Sequence, residues 1–478
     1  MNPAAPRITD TLEKARAVNQ VRSQYGTFAE IGAGQEVARW FFRAGGASGT
    51  IAKTISAYDM TISDTIYGPA ERYVCRSRLQ SMLEYEFRLL VERLDAKRGA
   101  DTVFFSFADT VTTRSFKYHQ EAHGWMGIRF QLHPRTPPND IILHVRLFDK
   151  FALQQQEALG ILGVNLIYGA FNISRRTSEF IESLLDGLNT ERINIDMLKF
   201  SGPDFAMVDN RVVSLILVNK GLTRAAMFAP SGEVIQASEV MYNKPLLIER
   251  GTFRPITRVN LDMLAGAREI YHQMDSQTDP VEILEISTRN LVTGNTVDYE
   301  DFLFRADMIA STGKLTLISD YSEFYRLVEF FNTYTQAHIG IVLGTPTLSE
   351  ILQEKYYAHL DGGILESFGR LFKKNVRLYV YPRLSRETQR LEGIEDLLQG
   401  NPSAPLVRYL IARKQIVEIQ VKQPDLLRLS SREVAEKIQR NDPDWPQYVP
   451  ESVAEIIRKR KAHSSLCSFQ AEKTASSV

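Results

Sequence analysis

The chain has 478 residues, which is long for a single core, so its length predicts two or three domains. Hydrophobic residues make up 44% and charged residues 24%, a balance that excludes disordered and fibrous proteins. Lys plus Arg and Asp plus Glu both number 57, so net charge gives no reason to expect a nucleic-acid or membrane-surface partner. We therefore expect a globular protein whose phosphate binding, if present, is local.

Cysteine content and hydropathy indicate the cellular compartment. Cys75 and Cys467 lie far apart in the sequence, so neither a disulfide framework nor a cysteine zinc site is predicted. Residues 1–21 lack the apolar segment of a signal peptide, and no stretch approaches the ~18 apolar residues of a membrane span. These features predict a cytoplasmic protein. Residues 461–478 are predicted to form a disordered polar tail.

The first half, residues 1–240, predicts an α/β or α+β domain. Helical spacing covers residues 7–24, 76–93, 154–162 and 174–188. Strands are predicted at 25–31, 102–108, 125–131, 140–147, 163–168, 193–200, 212–218 and 225–229. The domain boundary is expected between 232 and 244, because the motif-bearing segment described below begins there.

Two glycine clusters follow the first predicted strand. Glu30 to Gly34 resembles the first motif of adenosylmethionine-dependent methyltransferases, but Gln35 and Glu36 follow where a third glycine is required. A tight strand-to-helix turn is the alternative. The second cluster mixes glycines, hydroxyls and a Lys, although Ile51-Ala52 interrupts the contiguous Gly-Lys-(Ser/Thr) of a Walker A loop. It is a candidate anion site made of Gly46, Ser48, Gly49, Thr50 and Lys53.

Other polar residues of this half have two interpretations each. Asp59 and Asp64 could hold a cation, or they could cap turns and helices. His119 and His123 have the i, i+4 spacing of a metal pair on one helix face, but the sequence offers no third ligand nearby, which favours a hydrogen-bonded pair. His144 lies in an apolar run, which favours a hydrogen-bonded interior histidine over a general base. No metal site is predicted.

The second half, residues 241–460, alternates strands and helices as a doubly wound, mainly parallel sheet requires. Strands are predicted near 246–248, 283–287, 315–318, 339–343, 376–381 and 416–420, with helices near 298–310, 322–334 and 348–359. Gly251 follows the first strand, and a helical spacing begins near Leu261. A glycine-containing loop that leads into a helix N-terminus directs backbone N–H groups and the positive end of the helix dipole at one point, which favours phosphate.

The segment Gly251-Thr252-Phe253-Arg254-Pro255-Ile256-Thr257 resembles the signature of nucleotidyltransferases with a HIGH-type motif, Gly-x-Phe-x-Pro-x-(His/Thr)-x-Gly-His. It is most similar to the motifs of phosphopantetheine and nicotinate-nucleotide adenylyltransferases. Further matches follow in the family's order. They are the helix with Arg-x-x-Met-(Leu/Ile) at 301–309, the strand and turn at 341–348, the Ser430-Ser431 element, and the closing Val-Pro-x-x-Val helix near 448–453.

The resemblance implies a Rossmann-like fold and assigns roles to residues. Thr257 matches the family's catalytic Thr, Asn260 stands at the position of the second His, and Arg254 and Arg258 could supply positive charge to the triphosphate, so these four are the candidate catalytic residues. The candidate nucleotide-binding residues are Gly251, Thr252, Phe253, Gly344, Thr345, Ser430, Ser431 and Arg432. ATP would be accompanied by Mg²⁺. The chain departs from the family at several positions: Asn260 replaces the second His of the motif, Val259 replaces the Gly before it, and Arg432 and Ala435 replace residues of the serine element.

Two functions agree with this resemblance and with the departures from it. The first is an adenylyltransferase that transfers AMP from ATP to a mononucleotide, nicotinate or nicotinamide mononucleotide being expected, and releases pyrophosphate. The second is a protein that binds ATP or a dinucleotide on the same fold without turnover, because Asn260 can donate a hydrogen bond but cannot become cationic as a protonated His can. Pyrophosphate release distinguishes them.

Overall fold

The computed structural model describes residues 7–32, 34–70, 72–114, 122–274, 278–293, 296–373, 375–428 and 430–461. The chain divides into two compact units, 1–224 and 225–478. Each unit has its own sheet. None of the helices in the described ranges combines the length and the apolar character that a membrane span requires. His119, Cys467 and the tail 462–478 lie outside the described residues.

The first unit contains six strands and seven helices among its described residues. In chain order they are α1 (Thr11–Asn19), β1 (Gln24–Ile31), α2 (Glu36–Ala44), β2 (Ile51–Ser56), α3 (Met60–Tyr67), α4 (Arg76–Arg98), β3 (Val103–Thr112), β4 (Ala122–Phe130), β5 (Asn139–Leu147), α5 (Ala152–Asn172), α6 (Thr177–Ser183), β6 (Ile193–Ser201) and α7 (Asn210–Asn219). The sheet order is β2-β1-β3-β4-β5-β6; β1 runs parallel to β2 and β3, and the remaining pairs are antiparallel.

Helices cover both faces of this first sheet, which makes the unit a three-layer α/β structure. On one face, α1, α2, α5, α6 and α7 share a core with the strands, built around Phe28, Phe107 and Leu162. On the other face α4 packs against β3 and β4, and the Ser106 hydroxyl donates to the Leu83 carbonyl at 2.8 Å. The sequence-based prediction of an α/β or α+β domain is confirmed, and the sheet is mixed, with two parallel and three antiparallel strand pairs among the described residues.

Two predicted strands of the first half are wrong. Residues 163–168 belong to helix α5, whose residues from Ala158 to Ala170 are all buried. A helix that is apolar on every side lacks the 3.6-residue pattern and so resembles a buried strand in sequence. Gly163 permits this burial, because a Cβ there would lie 2.4 Å from Cγ2 of Val37 in α2. Residues 212–218 form most of α7, which begins where Asp209 accepts from the Arg211 amide at 2.9 Å.

The second unit begins with a hairpin and continues as an alternating α/β structure. Its elements are β7 (Ala225–Phe228), β8 (Val234–Ile235), α8 (Ala237–Met241), β9 (Leu246–Arg250), α9 (Arg258–Met274), β10 (Val281–Ser287), β11 (Val292–Thr293), β12 (Thr296–Val297), α10 (Tyr299–Ala310), β13 (Leu315–Ser319), α11 (Phe324–Asn332), β14 (Ile339–Gly344), α12 (Thr345–Ile351), α13 (Gly363–Leu371), β15 (Val376–Tyr381), β16 (Arg383–Leu384), β17 (Leu391–Glu392), α14 (Ile394–Leu398), α15 (Ala404–Ala412), β18 (Ile416–Glu418), α16 (Ser431–Gln439) and α17 (451–461).

The boundary between the units lies earlier than the sequence indicated. The predicted first domain extends to residue 240, whereas the structure divides the chain after Arg224. The reason is strand pairing: β7 pairs antiparallel with β13, and β8 pairs with β7, so both strands extend the second sheet. The β-hairpin therefore belongs to the unit that follows it.

The second sheet has the order β18-β15-β14-β9-β10-β13-β7-β8. The six strands from β18 to β13 are mutually parallel, and only the β7–β8 hairpin is antiparallel. Numbered along the chain from β9, the parallel strands have the order 3-2-1-4-5-6 of the Rossmann fold. Helices α11, α13 and α15 share a core with one face, which includes Ile248, while α9 packs on the other. The predicted doubly wound, mainly parallel sheet is confirmed.

Candidate functional site

The strand order places a topological switch point between β9 and β14. The chain proceeds from β9 through β10 to β13 on one side, and then returns to build β14, β15 and β18 on the other. In such sheets, ligands bind outside the carboxyl ends of the strands at this point. The loop 251–257 follows β9 here, and Gly344 ends the adjacent β14, whose Val342 pairs with Glu249. The structure thus brings two of the predicted nucleotide-binding segments to one edge.

The loop 251–257 is held against the sheet by its own backbone and by buried side chains. The Gly251 amide donates to the Glu285 carbonyl of β10 at 3.1 Å. Phe253 is buried with a φ of 46°, and the following Arg254–Pro255 peptide bond is cis. Thr252 is exposed at the tip. Helix α9 begins directly after the loop.

Asn260 has a role that the sequence did not predict. Its Oδ1 accepts from both the amide and the hydroxyl of Thr257, each at 2.8 Å. Its Nδ2 donates to Oε1 of Glu249 at 2.5 Å. Asn260 therefore connects the start of α9 to the end of β9. As the third residue of the helix, it accepts from the residue that precedes the helix, which is half of a capping box.

Glu249 is a buried residue at this edge that sequence analysis did not single out. Only 2% of it is exposed, and burial raises the pKa of its carboxyl to about 8, against a smaller lowering by the Asn260 hydrogen bond. A carboxyl group with this pKa is protonated at neutral pH for a large fraction of the time. A lone glutamate after Leu246-Leu247-Ile248, in a strand predicted at the centre of a parallel sheet, was the available signal.

Arg254 and Arg305 meet at a shared carboxylate beside the loop. The Nε of Arg254 lies 3.2 Å from Asp301, and its side chain is 61% exposed. Arg305 of α10 is buried, pairs with Asp301 as well, and donates to the Thr252 carbonyl at 3.1 Å. Arg305 is the arginine of the Arg-x-x-Met-Ile match, so this segment is helical as predicted. Arg258 is the first residue of α9 and is exposed.

A second arginine–carboxylate pair fixes the neighbouring strands. Nε and Nη2 of Arg250 donate to the two carboxylate oxygens of Glu285 at 2.6 and 3.1 Å. Arg250 also donates to the carbonyls of Tyr321 and Ser322, at 2.8 and 2.9 Å, beyond the end of β13. The ring of Phe324 lies 4.7 Å from its guanidinium carbon. Such a bidentate pair holds the ends of β9, β10 and β13 in register.

The opposite wall of the switch point is formed by β14, β15 and their loops. Gly344 ends β14, and Thr345 begins α12, a helix of seven residues. The Tyr381 hydroxyl, at the end of β15, donates to Asp262 of α9 at 2.5 Å. Burial raises the pKa of Tyr381, and the bond to Asp262 raises it further. This hydrogen bond joins the first turns of α9 to the end of β15, on the other side of the switch point.

Three buried polar atoms at this edge have no hydrogen-bond partner among the described residues. They are Oε2 of Glu249, Nε of Arg305 and Oγ1 of Thr345. Their residues are each no more than 3% exposed. Buried polar groups are almost always paired in folded proteins, and exceptions are concentrated where a ligand or an ordered water binds.

The predicted serine element is a helix cap. Ser430 and Glu433 form a reciprocal capping box at the start of α16, with the Ser430 amide donating to Glu433 at 2.8 Å. This bond, and the Ser430 hydroxyl after it, lower the pKa of Glu433. Arg386, beyond the end of β15, lies 2.8 Å from Glu433, and residues 424–428 pack against α9 and β16. The cap therefore lies on the carboxyl edge of the sheet.

Contact between Ser430 or Ser431 and the loop 251–257 stays a prediction. The third predicted residue of this element, Arg432, has a side chain that is 90% exposed and lies beside Glu436.

The candidate anion site of the first unit is not assembled around one point. Gly46 has a left-handed φ of 79°, Ser48 is exposed and Gly49 ends a short 3₁₀ turn. The Thr50 hydroxyl donates to Asn19 at 3.0 Å. The ammonium of Lys53 pairs with Glu86 at 2.6 Å. The polar groups of Thr50 and Lys53 are used in contacts within the unit.

The two aspartates that were candidates for a cation site or for capping also have partners within the unit. Asp59 caps α3, and Asp64 pairs with Arg78.

A hydrogen-bonded series of three side chains lies on the α4 side of the first sheet, although the histidines in it were interpreted separately from the sequence. Nδ1 of His144 lies 2.6 Å from Asp196, and its Nε2 lies 3.0 Å from Nδ1 of His123. His123 is in strand β4, not in a helix, so the i, i+4 reading of His119 and His123 does not apply. Burial, and next the neighbouring His144, lower the pKa of His123 to about 4. The described residues contain no group of three or more His, Cys, Asp or Glu side chains placed to hold a metal.

Comparison with known proteins adds weak structural similarities. No protein-family model matches the chain, and no curated protein matches it. Similar solved structures include competence/damage-inducible protein CihA from Agrobacterium tumefaciens, with 14% identity and a TM-score of 0.25 over 34% of this chain and 97% of that one. CinA-superfamily proteins from Escherichia coli (15% identity, TM-score 0.25, 35% and 94% covered) and Enterobacter cloacae (10%, 0.26, 36% and 97%) are comparable. TM-scores this low do not establish a shared fold.

Proposed function

We propose that the second unit is an adenylyltransferase that binds ATP at the switch point and transfers AMP to a mononucleotide, with nicotinate or nicotinamide mononucleotide as the acceptor. The observation that carries this proposal is the position of the loop 251–257. It leaves the first strand of a 3-2-1-4-5-6 sheet and leads directly into α9, next to Gly344. The N-terminus of a 17-residue helix at this place favours a phosphate group.

The unpaired buried atoms support a polar ligand at the same edge. Nε of Arg305, whose Nη1 donates to the Thr252 carbonyl of the loop, and Oγ1 of Thr345, at the start of α12, are without a partner among the described residues. Arg254 and Arg258 add two exposed cations at the start of α9. This combination of backbone donors and cationic side chains is suited to stabilising charge on a triphosphate.

The proposed reaction needs no covalent enzyme intermediate. A phosphate oxygen of the mononucleotide attacks the α-phosphorus of ATP, a new P–O bond forms, and the bond from the α-phosphorus to the bridging oxygen breaks to release pyrophosphate. The chain's part is to align the two phosphates and to neutralise the charge that develops on them. Thr257, Arg254 and Arg258 are assigned to the α-phosphate and the leaving group. Mg²⁺ bound together with ATP would help to neutralise the charge that develops on the phosphates.

One observation favours a second candidate, a protein that binds the nucleotide without turning it over. The hydroxyl and the amide of Thr257 both donate to Asn260, which itself donates to Glu249. Donors used in this way must be released before they can contact a phosphate. The family's cationic second His is also absent, and loss of one donor at such a site costs on the order of 10²–10³ in rate.

Pyrophosphate release by the full chain separates these functions. MgATP is supplied with nicotinate or nicotinamide mononucleotide, and ATP binding is measured by calorimetry in parallel. Thr257→Val removes the hydroxyl while keeping the shape of the side chain. Thr333→Val is the matched control, because that hydroxyl bonds locally to the Phe330 carbonyl, before the amino end of β14.

The adenylyltransferase predicts pyrophosphate release that falls about 10²-fold in Thr257→Val and is unchanged in Thr333→Val. Binding of ATP without release from either mononucleotide would favour the second candidate. If the chain does not bind ATP, both proposals fail and the resemblance is limited to the fold.

A further inference from the structure

The second unit has a large cavity at the edge of its sheet opposite to the loop 251–257. Its volume is about 910 Å³, within the range of roughly 300–1,000 Å³ that is typical of small-molecule sites. Pro245, His338, Asn375 and Gln415 all line it. Each of these residues immediately precedes a parallel strand, namely β9, β14, β15 and β18. The cavity therefore lies across the amino ends of four strands.

The described residues that line this cavity carry charges of one sign. Arg377, Arg413 and Lys414 line it, and no Asp or Glu is among its described lining residues. The chain as a whole has equal numbers of acidic and basic residues, so the basic side chains among the described lining residues are a local enrichment. Such a lining attracts an anion and repels a cation.

The two guanidinium groups of this lining have hydrogen-bond partners within the protein. Nε of Arg377 donates to the Lys414 carbonyl at 2.7 Å, and its Nη1 donates to the Tyr379 hydroxyl at 3.3 Å. Nη1 of Arg413 donates to the Tyr409 hydroxyl at 3.1 Å. Fixed guanidinium groups lose less side-chain entropy on binding an anion than mobile ones do.

Aromatic rings form the other walls. The rings of Tyr271 and His338 lie 5.1 Å apart at an angle of 34°, and those of Phe368 and Phe372 lie 5.5 Å apart. Tyr409, which is 56% exposed, lies at the same cavity. Flat apolar walls with a few oriented polar groups are suited to a planar ring.

We propose that this cavity is a second binding site, which takes a small ligand that carries both a planar ring and an anionic group. The parallel strands separate it from the switch point by roughly 17–20 Å, so one small molecule cannot occupy both places. The proposal does not depend on adenylyl transfer, because it uses none of the residues assigned to that reaction.

Phenyl phosphate is the probe, with inorganic phosphate as the anion without a ring and phenol as the ring without an anion. Binding to the full chain is measured by ligand-observed NMR, with and without excess MgATP. The test variant combines Arg413→Gln with Lys414→Asn; Asn suits position 414 because its φ is 57°. Arg408→Gln is the matched control, since Arg408 lies on the same helix α15 and pairs with Glu395 at 3.2 Å.

We expect saturable binding of phenyl phosphate that is at least about tenfold tighter than that of either fragment alone. The double variant should lose about tenfold or more in affinity, the Arg408→Gln control should lose none, and MgATP should not displace the probe. Unchanged thermal unfolding of the double variant would show that it is folded. Equal binding by the double variant, displacement by MgATP, binding of phenol as tight as that of phenyl phosphate, or no saturable binding would each overturn the proposal.

Discussion

The side-chain amide of Asn260 donates to the buried carboxyl group of Glu249, 11 positions earlier in the chain. Asn260, which stands at the position of the second His in the HIGH-type motif that this segment resembles, therefore faces the interior of the unit. Asn260 also accepts both donors of Thr257, so its carbonyl and amide groups both have partners inside the protein.

Asn260→Ala should destabilise the second unit by roughly 1–3 kcal/mol, because it leaves the donors of Thr257 and the carboxyl of Glu249 without their partner. Asn401→Ala, which removes one local bond to the Ser403 amide, should cost less. Urea unfolding measures both. Equal losses would mean that the bonds of Asn260 contribute no more than an ordinary turn.

Asn260→His should leave pyrophosphate release unchanged or lower it. An imidazole at position 260 meets Glu249 and deprives Thr257 of its acceptor, so it gains no contact with the α-phosphate. The measurement is pyrophosphate release from MgATP with either mononucleotide, next to the unsubstituted chain. A clear rise would show instead that residue 260 faces the phosphate and that the natural site has lost a catalytic His.

Glu249 should make the second unit less stable as the pH rises. Burial raises the pKa of this carboxyl from 4.5 to about 8, so the folded state holds a proton that the unfolded state releases. The contribution of this proton to the free energy of unfolding is fully present below about pH 4.5 and is lost as the pH rises to about 8. Glu249→Gln has no such group, so its stability relative to the natural chain should increase with pH over this range. Hydrogen exchange of peptides from β9 and α9, compared at equal pH, measures the difference; parallel pH profiles would contradict it.

Arg254→Ala and Arg258→Ala should each weaken ATP binding by roughly 1.5–3 kcal/mol, the value of a charge-assisted phosphate contact. Arg268→Ala is the control. Arg268 lies on helix α9 like Arg258, its side chain is 46% exposed, and its Nη1 lies 3.6 Å from Glu282. Calorimetric titration with MgATP measures all three. An equal effect of the three substitutions would indicate a general loss of positive charge and not contacts at the start of α9.

His123 should limit the acid stability of the first unit. Its pKa is lowered from 6.5 to about 4, first by burial and then by His144, so the folded state lacks a proton that the unfolded state binds. Stability linked to His123 is therefore present above about pH 6.5 and lost as the pH falls to about 4. His123→Gln should reduce this loss, as measured by hydrogen exchange of β4 peptides at pH 5 and 7. A neutral His123 at pH 5.5 in NMR spectra is the direct check.

Gly340→Ala should destabilise the centre of the second sheet by roughly 1–3 kcal/mol. A Cβ there would lie 2.5 Å from Cδ2 of Leu247 and 2.6 Å from Cε2 of the fully buried Tyr379. Gly369→Ala, in helix α13, meets no described atom within 4 Å and should be neutral or stabilising by up to about 1 kcal/mol. Thermal unfolding of the two variants compares them directly.

Sequence patterns predicted most of the parallel strands of the second unit because the apolar runs from β9 to β14 alternate with turn residues and helical periods, whereas α14 and α15 were not predicted. The loop 251–257, α10 and β14 all lie where their motifs placed them. The pattern failed at residues 163–168, where a helix buried on every side has no polar face to reveal its period. It also could not show that Asn260 faces Glu249, since the motif gives residue spacing along the chain but not the direction of a side chain.

The pairing of β7 with β13 determines where the second unit can be cut from the chain. A fragment that begins at residue 241, the predicted boundary, would lack β7 and β8 and leave the backbone N–H and C=O groups of β13 open along one side. Open strand edges pair with other chains, so such a fragment should aggregate, whereas one that begins at Ala225 keeps its own edge covered.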